Sequence, residues 1–124
     1  MVRAPVTVRP ARAEHSEHGS STVELAVGLI AILLGAAAGV WLVLVVVLQI
    51  RVVDTAAEIA RQEARGDRAA VSRAEAGAPS GASISRGRQD GLATVTVRLA
   101  VRPLAALPAV PLSSTARVLL EPGE

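Results

Sequence analysis

The 124-residue sequence has no cysteine, no lysine, no phenylalanine and no tyrosine, and it has a single tryptophan. The absence of cysteine excludes a disulfide framework and leaves the redox compartment open. A soluble core normally takes much of its bulk from aromatic side chains, so a sizeable independent core is not expected. All 13 basic residues are arginines, mostly interleaved with the 11 acidic residues. With neither a basic stripe nor stacking aromatics, the composition argues against nucleic acid as a partner.

The apolar residues are concentrated in one uncharged run. From Leu25 to Ile50 there are 26 residues without a charge, and Gln49 is the only clearly polar one. Taken only as far as Leu48, a helix of this sequence reaches about 36 Å, and a bilayer needs about 20 apolar residues. A buried helix that is apolar on every side does not suit so small a soluble protein. The sequence therefore predicts a transmembrane helix over residues 20–50.

The segments around this run differ in composition. Residues 1–19 are polar, contain two prolines and show no helical period, which predicts a disordered leader. Residues 51–76 are alanine-rich and free of proline, which predicts an amphipathic extension of the helix with a break possible at Gly66. Its apolar stripe consists of Val52, Ala56, Ile59 and Ala60. Residues 77–83, rich in Gly, Ser and Ala, are predicted to be a linker.

Residues 84–124 are predicted to form a small β region. In GLATVTVRLAVRP, apolar and polar residues alternate, with the apolar face made of Ala93, Val95, Val97, Leu99 and Val101. The preceding SIS, residues 83–85, is predicted to be a partner strand, turned around by RGRQDG with Gly87 and Asp90-Gly91 as turn residues. PLAALPAVPL is predicted to be a loop, and STARVLLEP a third strand with Ala116, Val118 and Leu120 on its apolar face. The expected fold is α+β, in which the helix covers an antiparallel sheet of about three strands.

Glu24 lies directly before the uncharged run, where a carboxylate is costly. In one interpretation, Ser21-Thr22-Val23-Glu24 is a capping box that begins the helix. In another, the leader and the run form a secretory signal. A cleavable signal has an apolar region of roughly 7 to 15 residues and small residues at its exit, whereas this run is longer and ends in LQIRVVD. Secretion after cleavage beyond Arg51 is thus the weaker alternative.

A third interpretation uses the whole stretch GSSTVEL, residues 19–25. A glycine, four residues, a glutamate and a long apolar run resemble the type IV prepilin processing site. The resemblance implies that a prepilin peptidase cuts after Gly19 on the cytoplasmic face, so that Ser20 becomes the first residue and Glu24 the fifth. The new ammonium group at Ser20 would lie about one helical turn from Glu24 and could neutralise it, within one subunit or between neighbours.

The order of segments narrows this resemblance. The leader, GSSTVEL, the apolar run and the helix RVVDTAAEIARQEARGD are together similar to the TadE-like minor pilins of the tight-adherence (Tad/Flp) secretion-pilus system. Major Flp pilins are much shorter and usually carry tyrosine where this chain has Leu25, so a minor pilin is favoured. The resemblance implies a structural assembly subunit of a type IV pilus, without catalytic residues, metal or cofactor. The implied partners are the prepilin peptidase, other pilins, platform proteins of the inner membrane and membrane lipid.

The orientation expected for a prepilin has the leader, residues 1–19, in the cytoplasm and the C-terminal region outside. Counting arginines gives the opposite result, with three in the leader and four on the far side, at Arg51, Arg61, Arg65 and Arg68. Most of the far cluster lies well past the membrane and is mixed with acids, so we give the motif more weight. The expected location is the cytoplasmic membrane, with a single span, or an extracellular pilus.

The apolar run itself contains small residues that could pack against another helix. Gly35 and Gly39 form a GxxxG pattern, and Gly28 lies seven residues earlier on nearly the same face. These residues are a predicted packing face, although glycine is also common in membrane helices generally. Trp41 either marks the outer interface or is an ordinary lipid-facing residue. The alternative to a pilin is an uncleaved, signal-anchored, single-pass accessory protein, in which Glu24 is only a cap.

Overall fold

The computed structural model describes Met1, Ala4 and residues 18–121, and of residues 18–20 it describes only the backbone. The rest of the predicted leader (2–3 and 5–17) and residues 122–124 lie outside the described residues. The described elements, in order, are α1 (His18–Ala64), α2 (Arg68–Ala76), β1 (Ser83–Gln89), β2 (Leu92–Val101) and β3 (Val110–Leu119). The predicted α+β class, with one long apolar helix followed by a small antiparallel sheet of three strands, is confirmed.

The chain divides into two compact units, Met1–Ala36 and Ala37–Glu124. In the first unit, every residue from Ser21 to Ala36 belongs to α1 and is exposed. The second unit holds the rest of α1, together with α2 and the sheet. The buried core lies entirely within this second unit.

Helix α1 ends at Ala64, and a glycine two residues later separates it from α2. Gly66 has a φ of 71°, a left-handed conformation that favours glycine because it has no Cβ. The amide of Gly66 donates to the carbonyl of Glu63, and the amide of Asp67 donates to that of Gln62, as in a Schellman motif. The Asp67 side chain then caps α2 by accepting from the amide of Ala70 at 2.9 Å. The possible break at Gly66 is therefore real, and the extension consists of two helices.

The sheet has the order β1-β2-β3, with both neighbouring pairs antiparallel. A two-residue turn joins β1 to β2, and Asp90 and Gly91 have φ values of 54° and 73°. Positive φ at both positions is the mark of the type I′ turn that suits a twisted hairpin. The prediction for Asp90-Gly91 is confirmed, but the prediction for Gly87 is wrong, because Gly87 lies inside β1 opposite Thr94.

The core forms where the second half of α1 packs on one face of the sheet. The apolar residues alternate along β2 as predicted, and four of them are buried, at Ala93, Val95, Val97 and Leu99. The helix contributes the predicted stripe, which is fully buried, at Val52, Ala56, Ile59 and Ala60. Val71 of α2 and Leu112 of β3 complete the cluster. As expected for so small a sheet, the helix covers it.

The third strand differs from the prediction at both ends. It begins at Val110, so Pro111 and Leu112 belong to β3 and not to the predicted loop. Because β3 has a partner on only one side, it can accept a proline, which has no N–H to donate. The buried side chain of Leu112 also gives this end of the strand a place in the core. At the other end β3 stops at Leu119, one residue before Leu120.

Candidate processing site and membrane helix

The predicted processing site lies in the first turns of α1. Gly19, Ser20 and Glu24 all have helical backbone, and α1 begins one residue before Gly19. Ser20 and Glu24 are four residues apart, about 6 Å along the helix axis. A charged amine on the backbone nitrogen of Ser20 would thus lie one turn from the carboxylate of Glu24. The side chains of Gly19 and Ser20 are outside the described part of the chain.

The capping-box interpretation of Ser21-Thr22-Val23-Glu24 is wrong for this helix. A capping box requires the first residue of the motif to precede the helix, with non-helical backbone. Since α1 begins at His18, Ser21 and Glu24 lie inside the helix. Capping therefore does not explain why a carboxylate stands at this position.

Glu24 is exposed and lies between two exposed apolar side chains, Val23 and Leu25. Among the side chains that the structure describes, from Ser21 to Glu121, no basic group forms an ion pair with it. The nearest arginine that follows it in the sequence is Arg51. In an apolar layer a lone carboxylate is costly, so a position of this kind needs a partner from outside the described chain or a new charge on the helix itself.

The apolar run of α1 is exposed over most of its length. The helix segment Ser21–Ala64 is long and apolar enough to cross a membrane, and none of its most apolar stretch is buried. Fully burying a Val, Leu or Ile side chain is worth about 1.5 to 3 kcal/mol. Large exposed side chains occur all around this part of the helix, at Leu29, Ile30, Ile32, Leu33, Leu34, Val40, Leu42, Val43 and Leu44. Such a surface is stable only when lipid or other protein covers it.

The three glycines of the predicted packing face have open space beside them. A Cβ added at Gly28, Gly35 or Gly39 would meet nothing within 4 Å. None of these glycines is therefore required by contacts inside the described chain. Their lack of a side chain leaves room for a close approach by another helix.

Within the second unit, the covered side of α1 extends back into the apolar run. Trp41, Val45 and Leu48 are half-buried, with a helical spacing that continues the stripe of Val52. Val45 and Leu48 pack against the core of the second unit. The sequence placed Trp41 at an interface or in lipid but gave no sign that this side of the helix is covered, because the covering residues are distant in the chain.

A cluster of charged residues joins α1, α2 and β1. Arg88 contacts Glu63 with two of its nitrogens, Nε and Nη2, each 3.1 Å from Oε1, and Nη2 also donates to the Glu63 carbonyl at 3.2 Å. Arg86 lies 3.5 Å from the other carboxylate oxygen of Glu63 and 3.2 Å from Glu75. No local sequence pattern indicates this cluster, because Glu63 and Arg88 are 25 positions apart in the chain. Its contacts are with backbone and carboxylates of the same domain, which indicates a structural role.

Among the side chains described from Ser21 to Glu121, no three His, Asp or Glu residues lie together as metal ligands would. No family model matches the sequence, and neither a curated protein nor a solved structure matches it. Inference about function therefore depends on the helix, its N-terminal motif and the sheet that packs on its second half.

Proposed function

We propose that this chain is a TadE-like minor pilin, a structural subunit in the assembly of a Tad-type type IV pilus. It enters the cytoplasmic membrane through α1, with residues 1–19 in the cytoplasm. A prepilin peptidase removes these residues by cutting after Gly19, and the mature chain begins at Ser20. The role is structural, and no cofactor takes part.

The observation that carries the proposal is the position of Glu24 in α1. The residue stands one helical turn from the nitrogen that cleavage would free, at the start of a helix with an exposed apolar surface. A new ammonium at Ser20 would provide the charge that the exposed carboxylate lacks. Pairing between neighbouring subunits would also favour one axial register in a filament, because other registers leave the carboxylate in an apolar layer.

The rest of the chain suits a subunit that associates with others side by side. The exposed apolar surface of α1 and the open space at Gly28, Gly35 and Gly39 would face other pilins, platform proteins or lipid. The second half of α1, α2 and the sheet form a small domain that shares one core. Outside the membrane, this domain would contact further components of the pilus.

The N-terminal sequence and intact mass of the protein, extracted from membranes of cells that contain a prepilin peptidase, test the proposal. We expect a chain that starts at Ser20 and lacks the 19-residue leader. A chain that starts at Met1 or Val2 would instead support an uncleaved, single-pass accessory protein. A start beyond Arg51 would mean secretion.

A pair of glycine variants tests the specificity of cleavage. Gly19→Ala should abolish maturation, since it alters the residue that precedes the cut. Gly87→Ala is the matched control, because it makes the same change outside the predicted packing face, in open space, and it should mature normally. Normal maturation of Gly19→Ala would contradict prepilin processing.

A further inference from the structure

The loop between β2 and β3 has an unusual composition for an exposed segment. Residues 103–109 are PLAALPA, and no charged residue occurs from Pro103 to Ala116. Leu104 is 66% exposed and Leu107 is 46% exposed. The amide of Leu107 donates to the carbonyl of Leu104 at 3.0 Å, which closes a turn that presents both leucines to the surroundings. A single exposed leucine is ordinary on a protein surface, whereas two leucines in one uncharged turn form a small apolar patch of the kind that marks a contact with lipid or protein.

Two hydrogen bonds fix the direction of α1 relative to β3. Nε2 of Gln49 donates to the carbonyl of Ser113 at 3.2 Å, and the amide of Glu121 donates to the carbonyl of Ala64 at 3.3 Å. The helix and the strand therefore run the same way. The helix from Gln49 to Ala64 is about 22 Å long, and the nearly extended chain from Ser113 to Glu121, of which β3 covers the part up to Leu119, is about 26 Å long. Any residue before Ser113 in β3 lies beside α1 residues that precede Gln49.

This direction places the loop beside the apolar run. Val110 precedes Ser113 by about 10 Å of strand, which corresponds to about seven residues of helix and so to the neighbourhood of Leu42. The burial pattern agrees, since Val45 and Leu48 pack against the same core as Val101 and Val110. The loop is attached to those two strand ends. The loop therefore lies at the same height along α1 as Leu42, which belongs to the apolar run Leu25–Ile50.

The charges on β2, β3 and the loop between them are all positive, and the nearest acid on α1 is Asp54, three residues after Arg51. Between Gly91 and Leu120 the chain has no acidic residue, and Arg98 and Arg102 are exposed. Arg51 is exposed at the end of the apolar run. In the part of the chain that the structure describes, none of these three arginines forms an ion pair. Unpaired arginines that border an apolar surface match the phosphate groups that border the hydrocarbon of a bilayer.

We propose that the loop Arg102–Ala109 is a second membrane contact, in which Leu104 and Leu107 enter the interfacial layer of the phospholipid bilayer beside α1 and Arg102 remains among the phosphates. The inference rests on the membrane insertion of α1 in the proposed function. Lipid is favoured over a second copy of the chain because the apolar surface at this level is not one-sided. The free side of α1 is also apolar and exposed there, at Leu42, Val43, Leu44, Val46, Val47 and Ile50. Lipid can cover an apolar surface on all of its exposed sides, whereas one protein partner covers only one side.

Single-cysteine labelling tests this contact, because the natural chain has no cysteine. The full chain is reconstituted in vesicles of phosphatidylcholine and phosphatidylglycerol. A fluorophore is attached at Leu104→Cys, at Leu119→Cys or at Leu33→Cys, and is quenched by a nitroxide on the lipid chains. Leu119 is the matched control, a leucine with slightly greater exposure (74%) at the opposite end of β3, about 30 Å from Val110. Leu33 lies in the apolar run and reports insertion of α1 itself.

We expect quenching at Leu33→Cys and Leu104→Cys, and about twofold or more less quenching at Leu119→Cys, because interfacial insertion reaches only about 5 to 10 Å. Quenching at Leu33→Cys without quenching at Leu104→Cys would overturn the loop contact and leave the membrane helix in place. Equal quenching at Leu104→Cys and Leu119→Cys would also overturn it, because the domain would then lie flat on the lipid. Absence of quenching at Leu33→Cys would overturn membrane insertion, and the loop contact with it.

Discussion

Val52 and Val53 are neighbours in α1, but Val52 is fully buried in the core with Val95 and Val97, whereas Val53 keeps 43% of its surface exposed. The boundary between the packed side and the free side of the helix thus passes between two identical residues. Val52 continues the covered stripe of Val45 and Leu48, and Val53 continues the exposed apolar surface of the run. One side of this helix packs against the sheet of the small domain, and the other side is an exposed apolar surface that needs an apolar environment.

This pair provides an internally matched test of the core. Val52→Ala should lower the free energy of unfolding of the domain by about 2 kcal/mol, since it removes two buried methyl groups and leaves a cavity. Val53→Ala makes the same chemical change at a neighbouring helical position and should have much less effect. Denaturant titration in detergent micelles, followed by far-UV circular dichroism, measures both. Equal losses for the two variants would contradict the assignment of the packed side.

The hairpin between β1 and β2 offers a second matched pair. Gly91→Ala should destabilise the domain by about 1 kcal/mol, because the φ of 73° at this position puts a Cβ in a left-handed conformation. Gly87 is in β1, has ordinary strand backbone and has nothing within 4 Å of an added Cβ, so Gly87→Ala should be neutral or slightly stabilising. Thermal unfolding of the two variants under identical conditions gives the comparison. A larger loss of stability for Gly87→Ala than for Gly91→Ala would contradict the assignment of Gly91 to the turn and of Gly87 to the strand.

The charged cluster at the hairpin end of the domain gives a third prediction. Glu63→Gln removes the charge that two arginines, Arg86 and Arg88, share, and should cost about 1 kcal/mol of domain stability after allowance for the half-exposed arginines. Glu58→Gln is the control, since the hydrogen bonds that the described chain shows for Glu58 are to Gln62 and Arg61 of the same helix. We expect a clearly smaller loss for Glu58→Gln in the same unfolding assay. High salt should reduce the difference between the two variants.

Association through α1 gives a fourth prediction. Gly35→Leu and Gly39→Leu should weaken self-association in a membrane two-hybrid assay by several-fold, because loss of about 1 kcal/mol of close packing changes an association constant about fivefold. A Cβ added at Gly35 or Gly39 meets nothing within 4 Å inside the described chain, so a lower signal reports a contact between molecules. Ala37→Leu, about 200° around the helix from Gly35, is the control and should keep its signal. An unchanged signal for the glycine variants would reject the packing face.

Four features were predictable, because each is a local pattern that needs only its own segment of chain. They are the charge-free run, the alternation in β2, the Val52 stripe and the Asp90-Gly91 turn. The spacing from Gly19 to Glu24 is likewise a property of the sequence. The edge position of β3, which allows Pro111 within the strand, was not predictable, because it depends on which strands have a neighbour on one side only. The sharing of Glu63 by two arginines also needed the fold, since the residues involved are more than 20 positions apart.

By itself, the sequence determined that one helix is apolar on all sides and that a small sheet with one apolar face follows it, because hydrophobic periodicity is set residue by residue. Only the tertiary structure decided where the two meet. The bond from Gln49 to Ser113 joins residues 64 positions apart and aligns the helix with β3. That alignment brings the Leu104 turn level with the apolar run, since a contact between distant segments depends on how the packed core orients them.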